Sequence, residues 1–149
     1  MSTRMSSRGL FLGLVAIAAA IPFAWWLESM IRILVFPPEF EYLRDHLGPH
    51  TTAGVWALVP IAVVMAAAAF FLQLHLQARA ARLFSGEKAT WKQFEGLMIS
   101  ASVAQIPGLL AIFGSMLGAR FTAVLIVVIV STTAVVLLGV PLVRGGAIK

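Results

Sequence analysis

Gln105-Ile106-Pro107-Gly108-Leu109-Leu110-Ala111-Ile112-Phe113-Gly114 decides how this chain is read. The stretch lies midway along an apolar segment, residues 94–117, and gathers groups that hydrocarbon normally excludes. Gln105 carries a side-chain amide near the middle of the segment, hence near the bilayer midplane if the segment spans. Pro107 has no N–H, so the carbonyl of Val103 loses its usual helical partner. In lipid that carbonyl must be satisfied by a neighbouring helix, a side chain or a trapped water. The segment is therefore expected to face protein on at least one side. The rest of the chain is what surrounds it.

Composition sets the class. Of 149 residues, 60% are hydrophobic and 11% charged, against roughly 25% charged in a soluble domain. The length suits one domain. The net charge of +5 lies between apolar runs rather than on one face. Membrane orientation explains such a pattern, and nucleic acid is not an expected partner. With no cysteine there is no disulfide and no sulfur-ligated metal site.

Four apolar segments are expected as spanning helices: residues 9–36, 54–77, 94–117 and 121–143. The first follows a basic N-terminal flank with Arg4 and Arg8. Its length, continuing through Trp25 and Trp26 to Phe36, exceeds that of a signal-peptide core, so it is read as a retained helix. At ~1.5 Å per residue it also exceeds a ~30 Å hydrocarbon layer, so it should tilt, bend at Pro22 or end in the headgroup region. Glu28 and Arg32 stand four apart, the spacing of a helical ion pair, with Arg32 reaching water. The alternative is a charge site in a transport path. Pro37-Pro38 ends the segment. Residues 37–53 are expected as a polar connection, with a short surface helix over 39–47 and Gly48-Pro49 separating His46 from His50. Asp45, His46 and His50 fall there without an established ligand spacing, so no metal is expected.

The second segment carries Ala66-Ala67-Ala68-Ala69, a run of small residues that lets helices approach closely. His75 near its end reads as interfacial rather than as a proton relay or haem ligand, and no cofactor is expected. Residues 78–94 form the most basic connection, with Arg79, Arg82, Lys88 and Lys92. Anionic headgroups, an acidic partner or a nucleotide phosphate would all suit those charges. Ser85-Gly86-Glu87-Lys88 lacks the glycine and Gly-Lys-Ser/Thr pattern of a phosphate loop, and a topogenic loop is the favoured reading.

In the third segment Ser100, Ala104 and Gly108 fall on one face. Gly114 and Gly118 make a G-x-x-x-G pair, with a tight turn over Gly118-Ala119-Arg120. The fourth segment is β-branched but long enough to read as a helix in lipid. Ser131-Thr132-Thr133 lies at about the depth of Gln105, and an amide–hydroxyl contact across segments three and four is expected. The fourth span should end at Pro141 and Arg144.

Orientation follows from counting basic residues. Eight fall on the side of the N-terminal tail, the 78–94 connection and the C-terminal tail, against three on the other side: Arg32, Arg44 and Arg120. Both termini are therefore expected in the cytoplasm. The expected fold class is all-α, a four-helix transmembrane bundle, located in the inner (plasma) membrane of a bacterium.

The run Pro107 to Gly114 also resembles the ion-carrying helix of rotary ATPase subunit c, the proteolipid of the membrane ring. Residues 78–117 are similar to that family's hairpin, with its cytoplasmic connection. The resemblance implies a proteolipid-like scaffold. The family's ion-binding carboxylate would fall at Gly108, and no Asp or Glu lies near the middle of segments two, three or four. Gln105 hydrogen-bonds but cannot trade a proton, so ion exchange is not implied.

The expected function is that of a structural or interaction subunit. Its helix-packing or polar midplane residues would be Gln105, Pro107, Gly108, Gly114, Gly118, Ser131 and Thr132, and its partners the lipid bilayer and other transmembrane helices, in a homo-oligomer or a larger membrane complex. The alternative is an oligomeric channel, transporter or ring subunit with a path near Gln105 and Ser131–Thr133. No nucleophile–base pair or carboxylate dyad appears within the segments, so an enzyme is not expected.

Overall fold

The computed structural model describes residues 7–146, and these are helical apart from short connections. The elements are α1 (Ser7–Val35), α2 (Pro38–Leu83), α3 (Glu87–Met116) and α4 (Phe121–Gly146). Each contains a stretch long and apolar enough to cross a membrane. Arg4 and Lys149, counted above in the tails, lie outside the described residues.

The helices are longer than the apolar runs. α2 is 46 residues, or ~69 Å of helix, and it absorbs what reads in sequence as a polar connection over 37–53. Gly48-Pro49 does not break it. Gly48 is buried because the helix passes against the α3–α4 turn. A Cβ at Gly48 would lie 2.9 Å from the Gly118 carbonyl oxygen. Pro49 takes a donor from the helix, and Thr51 Oγ1 bonds back to the carbonyls of Leu47 (3.0 Å) and Gly48 (3.1 Å) in the same turn. The basic connection also shrinks. α2 runs to Leu83 and α3 begins at Glu87, so Arg79, Arg82, Lys88 and Lys92 sit on helix ends. α4 likewise continues past Pro141 to Gly146. Pro38 stands at the first turn of α2, where a missing N–H costs nothing.

Short connections make successive helices antiparallel. α3 and α4 pack on each other, and α1 and α2 each pack on both of them. α1 and α2 meet at their joined ends, where Phe36 stacks on Phe40. Half of the most apolar window of α3 and of α4 is buried, against 22% for α1 and 17% for α2. α3 and α4 are thus the centre, and α1 and α2 are flanks with large free faces.

The core consists of two clusters in which aliphatic side chains pack around alanines. At the basic end, Leu10, Leu14, Phe94, Leu97, Val135 and Leu138 pack around Ala69, Ala101 and Ala104. At the far end, Ile21, Val55, Val124 and Val127 pack around Ala62, Ala111 and Ala123. Phe11, Phe23, Trp26, Phe70, Phe71, Phe113 and Leu137 point outward and are exposed. Alanines at the tightest helix contacts and this many large apolar side chains outside depart from the arrangement of a water-soluble bundle and match helices packing in lipid.

Candidate functional site

Between the two core clusters lies a polar belt formed by the residues with which the sequence reading began. Pro107 and Ser131 are among the most completely buried side chains of the molecule. Gly108 fits between α1 and α4: a Cβ there would lie 3.0 Å from Ile21 Cγ2 and 3.3 Å from Ser131 Cβ and Oγ. The glycine is therefore a point of three-helix contact.

Gln105 does not reach the hydroxyl cluster. Its Nε2 donates to the backbone carbonyl of Ile17 on α1, at 2.6 Å. Ser131 Oγ and Thr132 Oγ1 are buried with no hydrogen-bond partner. The expected amide–hydroxyl contact is therefore not made. Equal depth does not fix direction around a helix axis, and Gln105 is turned toward α1. Gln73 of α2 and Ser100 of α3 also bury side-chain polar atoms without a partner.

A second polar assembly closes the far end of the bundle, and α2 builds it. α3 ends in a Schellman arrangement, with the Ala119 N–H on the Gly114 carbonyl (2.8 Å) and the Gly118 N–H on that of Ser115 (3.1 Å). Gly118 takes the left-handed position this turn requires, with φ of 92°. Two orphan carbonyls remain. Arg44 Nε donates to that of Met116 at 3.0 Å, and that of Leu117 lies 3.3 Å from Thr51 Oγ1, whose single proton it shares with the carbonyls of Leu47 and Gly48. Arg44 Nη2 adds a bond to the Ser115 carbonyl at 3.2 Å. A guanidinium on the last carbonyls also suits the negative end of the helix dipole. At the start of α4, the Arg120 N–H donates to Thr52 Oγ1 at 3.0 Å. Arg44, Gly48, Thr51 and Thr52 thus form a seat for the α3–α4 turn. Gly114 belongs to the same contact and lies against Val55 of α2, while Gly118 lies against the Arg44 carbonyl.

The seat is tied to α1 through charge. Arg44 Nη1 pairs with Glu41 (2.7 Å), Glu41 with Arg32 Nη1 (3.7 Å), and Arg32 Nε with Glu28 (3.6 Å). The ion pair read from the i,i+4 spacing is present, but it is one link of a longer chain. Glu28 is buried rather than near water. Its Oε2 accepts from Ser115 Oγ at 3.4 Å, and Ser115 Oγ accepts in turn from Trp25 Nε1 at 3.2 Å. Two arginines and two glutamates balance, so the chain joins α1, α2 and α3 without leaving net charge. Sequence reasoning missed Arg44, Thr51, Thr52 and Ser115. The one available signal was Glu28, an acid among apolar residues that needs partners.

Chemically, both assemblies hold helices in place. Among the described residues no group of three or more His, Cys, Asp or Glu side chains is placed to hold a metal ion. Asp45, Arg44 and Arg120 do line a cleft of about 430 Å³ beside the seat, open between α2 and the α3–α4 turn. No protein-family model matches this chain, and no curated protein and no solved structure is significantly similar to it.

Proposed function

We propose that this chain is an integral membrane protein, with its basic end and both termini in the cytoplasm, that acts as a structural or interaction subunit through helix–helix packing. The observation that carries the reading is the contrast between centre and flanks. The midplane glycine and proline are spent on internal contact, and Gln105 is tied to an α1 carbonyl. Meanwhile only 22% of the most apolar window of α1 and 17% of that of α2 are buried. Groups that would line a path are used for packing, and the open surface is of the kind other transmembrane helices cover. A bacterial inner membrane and a homo-oligomer or larger complex are the setting we infer.

Purification in mild detergent tests this. A defined homo-oligomer or a stoichiometric larger partner is expected. A monodisperse monomer with no partner would refute it.

A second reading, a channel or transporter, is favoured by the partnerless polar atoms of Gln73, Ser100, Ser131 and Thr132. Buried polar groups in this state call for water or a permeating species. Purified protein in liposomes separates the two readings. Dissipation of an ion gradient that changes in Ser131→Ala supports the path, and flux equal to that of empty vesicles supports the scaffold.

A further inference from the structure

At the basic end two adjoining clefts, of about 290 Å³ and 310 Å³, share Phe84 and Lys92 as a common wall. One runs along the seam between α2 and α3, floored by Leu76, Leu83 and Ile99 and edged by Arg79. The other opens beside it between Lys88 and Trp91. Ile99 and Leu83 are exposed, so the apolar floor continues onto the flank of the bundle. The charges at the mouth are unbalanced. Lys92 pairs with Glu95 at 2.6 Å, and among the described residues Arg79 and Lys88 have no ion-pair or hydrogen-bond partner. The double cleft is therefore an apolar trough with a net cationic rim: Arg79 and the Lys92–Glu95 pair edge the first cleft, and Lys88 edges the second, across the wall made by Phe84 and Lys92.

We infer that this cleft is a binding site for an anionic phospholipid, whose phosphate lies between Arg79 and Lys88 and whose acyl chain follows the α2–α3 seam over Ile99. The complementarity is of both parts at once. A free phosphate would use the rim and leave the trough bare, and an acidic peptide would use the charge alone. A zwitterionic lipid would fill the trough without matching the rim. Trp91, half exposed beside Lys88, has the apolar ring and N–H suited to the headgroup boundary. The inference rests on placing the basic end at the membrane surface, but not on what the protein assembles with.

The test is native mass spectrometry of the full-length protein in detergent with equal amounts of phosphatidylglycerol and phosphatidylcholine of identical acyl chains. Preferential retention of phosphatidylglycerol is expected. Each surface cation contributes enough that Arg79→Gln and Lys88→Gln should each lower that preference about fivefold. Arg8→Gln, which removes the same charge at the same end but outside the cleft, should leave it unchanged. Ile99→Trp should reduce retention with the charges intact, by filling the trough. Equal retention of the two lipids would overturn the inference, as would an equal effect of Arg8→Gln. Displacement of the lipid by inorganic phosphate or by polyglutamate as readily as by short-chain phosphatidylglycerol would also overturn it. Resistance of each variant to carbonate extraction from membranes checks the membrane placement separately.

Discussion

Arg44→Ala is the most informative single change, because the bonds it removes can be followed one by one. The Ser115 carbonyl keeps the Gly118 N–H and is not orphaned. The Met116 carbonyl loses Arg44 Nε, its partner among the described residues. A part-buried carbonyl left unbonded costs ~1–3 kcal/mol. Loss of a cation at a helix C-terminus adds ~0.3–1 kcal/mol. The Glu41 carboxylate is 55% exposed, so that pair adds only ~0–1 kcal/mol. The expected loss is about 1–5 kcal/mol. Arg44→Lys restores the cation but not the fork that reaches two carbonyls and a carboxylate, so about half of the loss should remain. Equilibrium unfolding in mixed micelles, driven by the SDS fraction and followed by far-UV circular dichroism, gives the difference. Hydrogen exchange should quicken at residues 113–119 and not at residues 100–106. A stability within ~0.5 kcal/mol of wild type for Arg44→Ala, or full recovery in Arg44→Lys, would show that the α3 terminus does not depend on α2.

Three further outcomes are expected. Gly48→Ala should destabilise the bundle in the same assay because its Cβ meets the Gly118 carbonyl, whereas Gly54→Ala, with open space around it, should be neutral or gain up to ~1 kcal/mol of helix propensity. Gly108→Leu should abolish recovery of folded protein from membranes by driving a side chain into Ile21 and Ser131, while Leu110→Ala, on the exposed face, should leave recovery and melting temperature near wild type. Ser131→Ala removes a buried hydroxyl that has no partner, so it should be neutral or stabilising by ~1 kcal/mol; a clear loss of stability would mean that the hydroxyl is bonded to water or to a second molecule.

Helix content and number were legible because four long apolar runs in one short chain leave few alternatives. The turn at Gly118 was legible as well, since a glycine between two such runs marks a reversal. Gly48-Pro49 misled for a physical reason. In water the pair breaks a helix, but here the glycine serves close backbone contact and a threonine hydroxyl bonds carbonyls beside the proline. Gln105 was given the wrong azimuth, because position along a segment does not tell which neighbouring helix a side chain faces, and its amide bonds to α1 rather than to α4. The seat under the α3–α4 turn left almost no trace in the sequence. Arg44, Thr51 and Thr52 bond to backbone groups, and a backbone partner has no residue identity to be matched with.

The seat has a consequence for the order of biosynthesis. In the orientation proposed above, a chain made from its amino end would deliver Arg44, Thr51 and Thr52 to the far side of the membrane before residues 114–120 have been translated. The final hairpin would then cross toward a helix that already carries the side chains its reversal bonds to.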